Sequence, residues 1–295
     1  MAKAELLFGT VGAPLTTPKR PGGTVGGIQQ LAALGLGALE LAWVQSVRVS
    51  EAKCAEIKAT GTANGIALSV HAPYFINLNA SADEWPRSRQ RLMDAAHYGH
   101  LAGATDIIFH PGSYFGGEPR LALELAIPRL RQCVADLRAA GNPVTLRPET
   151  MGKSAMLGSL EDTLLMAQAI DGVLPCIDFA HLHARPGDGT VNSYAEWVTL
   201  LKRVKKALGA RGLRSLHIHL SGIEYGPKGE KHHLPLDESD LKYRELFKAL
   251  HEAGAGGRVL CESPKMEEDA ALMKQTWEAV TEAQVGGPRK QRGKK

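Results

Sequence analysis

Eight short apolar segments alternate with eight amphipathic segments along this chain, and that order predicts an α/β fold, a single (β/α)8 barrel. The length of 295 residues suits eight such units in one domain. Most of the predicted strands also end in a histidine or an acidic residue. Because the carboxyl ends of barrel strands meet at one rim, the active site is expected there.

The predicted strands are short, apolar and bounded by Gly, Pro, Asn or Asp, and they lie at 5–10, 38–43, 67–73, 106–112, 144–150, 174–181, 215–222 and 258–264. The predicted helices carry apolar residues at spacings of three and four, and they lie at 24–35, 50–65, 83–103, 119–140, 159–171, 193–209, 238–254 and 265–283. Helix signals agree with these bounds, since Ser159 precedes Asp162 by three residues as in a capping box. Gly209 and Gly254 follow helical segments, where a left-handed residue commonly ends a helix.

An open, doubly wound sheet is the alternative fold, but no G-x-G-x-x-G motif follows the first predicted strand. No linker divides the chain, so residues 1–285 are expected to form one catalytic barrel. Residues 286–295 are basic and Gly-rich without an apolar anchor, which predicts a disordered tail. The formal net charge of +4 becomes 4 − 5 = −1 without the five basic residues of that tail, so overall charge is weak evidence for a polyanionic partner.

The composition is ordinary for a soluble globular protein, with 44% hydrophobic and 22% charged residues. No apolar run approaches the ~18 residues of a membrane helix, and the first residues lack the features of a signal peptide. We therefore expect a cytoplasmic monomer without membrane contact. The four cysteines are widely spaced and include no CxxC pair, so reduced, mostly buried thiols are expected.

Side chains of the types that bind zinc or manganese stand at the ends of six predicted strands, and these residues are His71, His110, Glu149, Asp178, His219 and Glu262. His181 follows Asp178 by three residues. Any one of them could be an ordinary core or ion-pairing residue, so the interpretation depends on their shared position at one rim. Clustered carboxylates repel each other unless cations compensate their charge, which favours metal binding.

The loop after the seventh predicted strand adds further candidate ligands in the segment EKHHL, namely Glu230, His232 and His233. Glu230 and His232 are two residues apart, so in an extended loop both would face the same ion. Eight or nine ligands exceed the four or five that one zinc usually takes, so two or three ions are expected. His217 lies one layer deeper than His219 and is expected to pack, whereas His183 competes with His181 as a ligand.

Six segments resemble motifs of the endonuclease IV family of apurinic/apyrimidinic (AP) endonucleases, and these are SVHAPYFINLNA, IIFHPGSY, PETMGK, CIDFAH, HIHLSGIEYGPKGEKHHLPL and CESP. They occur in the same order and span residues 69 to 264. The resemblance implies a TIM barrel that uses three zinc ions, with manganese as an alternative at one site. It also implies incision of duplex DNA 5′ to abasic sites in base excision repair, which leaves 3′-hydroxyl and 5′-deoxyribose-phosphate ends.

The resemblance also assigns roles to individual residues. Its metal ligands would be His71 and His110 at the first ion, Glu149 between the first and second, Asp178, His219 and Glu262 at the second, and His181, Glu230 and His232 at the third. Glu149 and Glu262 would be the catalytic carboxylates. Tyr74 and Phe75 would press into the DNA stack beside the lesion, and Lys153 on a rim loop is a candidate phosphate contact.

Some residues depart from the family's pattern. Glu230 stands where better-known members have aspartate, and Ser221 and Gly222 replace polar side chains after the seventh strand. The loop WVQSVRVS differs from the arginine-bearing loop of those members, and Arg48 is a weak candidate to replace that arginine. These departures bear on substrate choice and on the third ion.

Two other functions fit parts of the pattern. A sugar isomerase or epimerase on the same barrel would share the strand-end carboxylates and histidines, but would use one or two ions and few histidines. A module that binds damaged DNA without cutting it is the other alternative, although a dense charged cluster would serve little purpose in binding alone.

Overall fold

A closed ring of eight parallel strands forms the centre of the protein in the computed structural model, which describes residues 5–285. The ring strands are β1 (Leu6–Val11), β2 (Ala38–Ala42), β3 (Ala67–His71), β4 (Asp106–Phe109), β5 (Thr145–Pro148), β6 (Cys176–Asp178), β7 (Leu216–Leu220) and β10 (Gly257–Cys261). Their hydrogen-bonded order is β5-β4-β3-β2-β1-β10-β7-β6. Parallel bridges Leu146↔Val173 and Glu149↔Cys176 join the two ends of this order and close the barrel. The predicted fold class is confirmed.

Helices cover the outside of the ring. They are α1 (Gly23–Ala33), α2 (Glu51–Asn64), α3 (Trp85–Leu101), α4 (Pro119–Ala139), α5 (Leu160–Ala169), α6 (Phe179–Ala184), α7 (Tyr194–Leu213), α8 (Tyr243–Ala253) and α9 (Glu267–Val285), with a 3-10 turn at Leu236–Glu238. The predicted capping box is present, because Ser159 accepts from the backbone of Asp162 and the Asp162 side chain accepts in return. Gly254 ends α8 in the left-handed region as expected. Gly209 breaks α7 at a φ of 69°, but the helix resumes beyond it and ends at Leu213.

Two predictions about the rim were wrong. The predicted strand 174–181 runs too far, since β6 ends at Asp178 and His181 lies in the first turn of α6. The stretch after β7 was expected to be a loop, yet it forms an antiparallel hairpin of β8 (Gly222–Gly226) and β9 (Gly229–Leu234). This hairpin lies over the rim instead of in the core, so its sequence lacks the apolar run that marks the buried strands.

The core lies between the ring and its helices and is made of aliphatic and aromatic side chains, among them the fully buried Trp197 and Phe109. All four cysteines are free and buried, which confirms the expectation from their spacing. None of the helices within residues 5–285 combines the length and apolar character needed to span a membrane. The predicted tail at 286–295 lies outside the described residues.

The inside of the ring is more polar than the surrounding layer. Asp106 lies near the amino-terminal end, where Arg147 Nε is 2.5 Å and Arg258 Nη2 is 3.0 Å from its carboxylate. Glu40 on β2, Ser69 on β3 and His217 on β7 are also fully buried. A column of polar groups therefore runs through the interior towards the carboxyl ends of the strands.

Candidate metal centre

The carboxyl ends of the ring strands bring histidines and carboxylates into three groups. In each group one ligand atom per residue lies within 4.8 Å of all the others, and the groups are His71, His110 and Glu149; Glu149, Asp178, His219 and Glu262; and His181, Glu230 and His233. Glu149 belongs to the first two groups. Eight of the nine predicted ligands therefore lie in the three groups, and His232 does not.

Glu149 lies at the centre of the arrangement. One carboxylate oxygen, Oε2, lies 3.2 Å from His71 Nε2 and 3.4 Å from His110 Nε2. The other oxygen, Oε1, lies 3.3 Å from His181 Nδ1 and 3.4 Å from His219 Nδ1. The residue follows β5 directly, and its backbone N–H donates to the carbonyl of Phe109 on β4. Each carboxylate oxygen of Glu149 thus lies between two histidine nitrogens.

Backbone carbonyls orient two of the histidine rings. His71 Nδ1 donates to the carbonyl of Ala72 at 2.9 Å, and His181 Nδ1 donates to the carbonyl of Thr150 at 2.9 Å. When one ring nitrogen carries the proton, the other keeps a lone pair for a metal. Both rings therefore present Nε2 as the ligand atom.

The carboxylates of the second group need a compensating charge. Burial would raise the pKa of Glu149, but His219 and hydrogen bonds from neighbouring histidines hold it well below its usual range. Burial raises the pKa of Asp178 to about 8, reinforced by the charges of Glu262 and Glu149 and opposed by His181. Within residues 5–285, Asp178 Oδ2 and His181 Nε2 are among the few buried polar atoms without a hydrogen-bond partner. Such a donor set fits divalent cations, which favour anionic carboxylates and neutral imidazoles together.

The third group contains His233 and not the predicted His232. A β-bulge in the hairpin pairs Glu230 with Tyr225 and His232 with Glu224, so Lys231 is an extra residue in β9. The extra residue breaks the alternation of side chains, so Glu230 and His233 face the same side although they are three residues apart. The His232 side chain is 60% exposed, and its Nε2 lies 3.4 Å from Glu224 on the outer face. In a regular strand Glu230 and His232 would face the same side, and the bulge brings His233 beside Glu230 instead.

Two small residues support the third group. Ser221 Oγ lies 2.6 Å from His233 Nδ1, and this hydrogen bond fixes the orientation of the ring. Gly152 lies against Glu230, and a Cβ at position 152 would come within 2.7 Å of the Glu230 side chain and 3.1 Å of His181 Cδ2. Sequence reasoning noted Ser221 only as a departure and missed Gly152, whose signal was a Gly two residues after the rim motif PET.

Glu40 on β2 is a buried residue of the site that sequence reasoning missed. Its Oε1 accepts from His219 Nε2 at 3.0 Å, and its Oε2 accepts from His217 Nε2 at 2.8 Å and from Ser69 Oγ at 2.9 Å. Burial would raise its pKa, but the interactions with His219 and His217 hold it well below the usual range. The available signal was a lone acid within the apolar run ALELA. His217 is buried one layer below the rim, as expected.

The predicted DNA-contacting residues lie on loops at the rim. Tyr74 and Phe75 follow β3 with 45% and 59% of their surface exposed, which is high for aromatic side chains. The Tyr74 ring stacks on His110 at a centroid distance of 4.9 Å, so this loop borders the first metal group directly. Lys153 is exposed on the loop after β5. Burial raises the pKa of Tyr74 to about 12, with contributions from Glu262 and Glu149, so its hydroxyl stays neutral.

A groove of about 770 Å³ runs beside this aromatic pair, between the loops after β3 and β4. Phe115 lines its other side, is 68% exposed and has a φ of 52°. An exposed phenylalanine in the left-handed region is uncommon, and such strain is concentrated at functional positions. Sequence reasoning did not single out Phe115, because nothing in the sequence reports its backbone conformation.

Comparison with known proteins gives matches over most of the chain. The model of the family described as xylose isomerase-like TIM barrel matches residues 28–283. An uncharacterized protein of Methanocaldococcus jannaschii is 38% identical over 269 residues, which cover 91% of this chain and 95% of that protein. Endonuclease 4 of Thermus thermophilus is 27% identical over 217 residues, which cover 71% of this chain and 76% of the enzyme.

Solved structures of different activities share the fold. An endonuclease IV structure from Thermus thermophilus superposes with a TM-score of 0.66 at 22% identity, covering 88% of this chain and 95% of that one. A D-tagatose 3-epimerase-like protein also gives 0.66, at 18% identity and with the same coverage of 88% and 95%. Likeness at this level of identity establishes the barrel but not its chemistry, which depends on the residues of the site.

Proposed function

This chain belongs to the xylose isomerase-like TIM barrel family, and we propose that it is a metal-dependent phosphodiesterase that incises duplex DNA 5′ to abasic sites. The products would be 3′-hydroxyl and 5′-deoxyribose-phosphate ends, as in base excision repair. The similarity to an endonuclease 4 over 71% of the chain supports this activity. The number and arrangement of the ligand groups support it independently.

One observation carries the proposal: three ligand groups share the rim and are joined through Glu149. A barrel that needs a single cation would be served by the Glu149, Asp178, His219 and Glu262 group alone. The His71 and His110 pair on one side and the His181, Glu230 and His233 group on the other would then have no role. Clusters of cations suit phosphodiester hydrolysis, because negative charge develops on several oxygens at once. We propose zinc at the three groups, with manganese as an alternative at one of them.

Bound divalent cations would polarise the phosphodiester and neutralise the charge that develops on its oxygens. The chain's own contribution is preorganisation, since the backbone carbonyls that accept from Nδ1 of His71 and His181 orient both rings with Nε2 facing inward. Glu149 is 1% exposed and holds the first two groups together, whereas Glu262 is 14% exposed and reaches the open rim. Glu262 is therefore the carboxylate that we assign to orient the attacking water, and Glu149 the one that fixes the geometry around it.

The loops beside the groups supply the contacts to DNA. Tyr74 and Phe75 would press between base pairs next to the abasic nucleotide, which has no base to resist displacement. The stacking of Tyr74 on His110 and the exposure of Phe75 support such a contact beside the reacting phosphate. Lys153 would contact a backbone phosphate from the loop after β5.

A labelled duplex with a single tetrahydrofuran residue tests the proposal. The zinc-loaded protein should cut it on the 5′ side, leave an end that a polymerase extends, and lose this activity in a chelator. The same duplex without the lesion is the control and should stay intact. No incision with zinc or manganese would contradict the nuclease, and chelator-sensitive epimerisation of a ketose by the same sample would favour the sugar enzyme.

A further inference from the structure

Glu40 is the buried carboxylate next to the second ligand group, and it belongs to none of the three groups. It lies in the middle of β2, and its side chain has no exposed surface. Three donors surround its two oxygens, and they come from β3 and β7. Burying a carboxylate without a role is costly, so its position next to a candidate metal ligand calls for an explanation.

The contacts of Glu40 determine which nitrogen of His219 carries a proton. A carboxylate can only accept hydrogen bonds, so His219 Nε2 at 3.0 Å from Oε1 must be the protonated nitrogen. In the neutral ring that binds a cation, the remaining nitrogen, Nδ1, has the free lone pair. It lies 3.4 Å from Glu149 Oε1 and 3.5 Å from Glu262 Oε1, so it faces the middle of the second group.

His219 differs in this respect from His71 and His181. His71 and His181 are held at Nδ1 by backbone carbonyls and present Nε2. His219 is held at Nε2 by a side-chain carboxylate and presents Nδ1. A carboxylate anchor makes the imidazole more electron-rich and a stronger metal ligand than a carbonyl anchor does.

We propose that Glu40 is a positioning residue for the metal centre, which fixes His219 as the Nε2–H tautomer and directs Nδ1 to the cation shared with Glu149, Asp178 and Glu262. The proposal rests on metal binding at the second group, as proposed above, and not on the identity of the substrate. Ser69 and His217 complete the shell of Glu40, since both donate to its Oε2 and leave Oε1 for His219.

The first test is the tautomer of His219 in the full-length, zinc-loaded protein. Nitrogen-15 NMR of the histidine rings, with the His219 signals identified by their loss in His219→Gln, should show a protonated Nε2 and a metal-bound Nδ1. A protonated Nδ1, or zinc bound at Nε2, would overturn the proposal without any variant at position 40.

The second test is the affinity of the full-length protein for zinc, measured by competition with a chromophoric chelator. Glu40→Gln keeps the size of the side chain but removes its charge and one of its two acceptors, so one zinc should bind about 10- to 100-fold more weakly. Ser69→Ala is the matched control, because it removes a donor from the same carboxylate without touching the His219 contact. Its zinc affinity should stay within about twofold of the wild type. This change is much smaller than the roughly 10- to 100-fold loss expected when the group that holds a metal ligand is removed.

Two affinity results would overturn the role of Glu40: an unchanged affinity in a folded Glu40→Gln protein, or an equal loss in Ser69→Ala. Thermal unfolding of both variants checks that they fold. If Glu40→Gln does not fold, the tautomer of His219 in the wild-type protein tests the proposal by itself. Incision is not used as a readout, so a zinc-loaded chain that fails to cut abasic DNA would contradict the nuclease and leave this proposal intact.

Discussion

Glu230 and His233 lie on the same side of the rim hairpin although they are three positions apart, because the bulge at Lys231 shifts the alternation of β9. We therefore expect His233→Ala to lose one bound zinc per chain, since it removes a ligand of the third group. His232→Ala should keep its full complement, because that side chain is 60% exposed on the outer face. Elemental analysis of the two purified variants measures the difference.

The pair of variants also tests the bulge itself. If His232→Ala loses a zinc and His233→Ala does not, β9 is a regular strand in the metal-loaded protein. A loss in both variants would mean that the third group uses both histidines.

The sequence predicts the barrel and most of the candidate site for a simple reason. Strands of a parallel barrel end at one rim, so a ligand-type residue at a strand end, such as His71 or Glu262, must lie near the others. His233 could not be chosen over His232, because a one-residue bulge leaves no mark on local composition. Glu40 could not be assigned either, since its contacts to His217 and His219 join strands that are far apart in the chain.

Replacing Glu149 should damage two ligand groups at once. Glu149→Gln keeps the shape of the side chain but removes the charge that two cations would share. We expect the loss of two zinc ions per chain. The incision rate should fall by more than the ~100-fold expected when a residue that only holds a metal ligand is replaced. Metal analysis and single-turnover incision of the tetrahydrofuran duplex measure both effects. Glu230→Gln is the comparison, because it touches the third group alone and should cost one zinc.

Asp178 should destabilise the metal-free protein at neutral pH and stabilise the loaded one. Burial raises its pKa to about 8 from an ordinary value of 3.8, with Glu262 and Glu149 adding to the shift, so the folded metal-free state holds a proton that the unfolded chain has released. The free energy of unfolding contributed by this group therefore falls as the pH rises between these two values. Asp178→Asn removes this dependence.

Thermal unfolding at pH 6 and pH 8 measures this effect. In chelator, Asp178→Asn should unfold at a higher temperature than the wild type at pH 8, and the gap should narrow at pH 6. In excess zinc the wild type should unfold at a higher temperature than Asp178→Asn, because asparagine cannot supply the anionic ligand. A variant less stable than the wild type under every condition would show that Asp178 serves packing alone.

The opposite end of the barrel contains a structural ion pair whose loss should reduce stability and leave metal binding unchanged. Asp106 is buried, and although burial opposes ionisation, Arg147 and Arg258 hold its pKa well below the usual range. A lowered pKa contributes stability above the unfolded value, and that contribution is lost as the pH falls. Asp106→Asn leaves the buried Arg147 and the partly buried Arg258 without their anion and should cost about 3 to 5 kcal/mol in urea unfolding.

The surface pair of Glu161 and Arg203 is the control for this prediction. Its atoms lie 2.7 Å apart, but both side chains are more than half exposed. Glu161→Gln should therefore change the free energy of unfolding by less than about 1 kcal/mol. Equal effects at the two sites would mean that the interior pair is not a stabilising element.

Phe75 should contribute to DNA recognition without affecting the metals. Phe75 is 59% exposed beside the candidate centre. Stacking on a base is worth about 1 to 3 kcal/mol, so Phe75→Ala should weaken binding to abasic duplex by roughly 5- to 150-fold. Leu121→Ala is the control, since Leu121 is similarly exposed at 62% but lies in the first turn of α4 and not on the loop after β3. Fluorescence anisotropy with the tetrahydrofuran duplex measures binding, and elemental analysis checks that zinc is retained. If Phe75→Ala binds as tightly as Leu121→Ala, the loop after β3 packs against the barrel and does not enter the DNA stack.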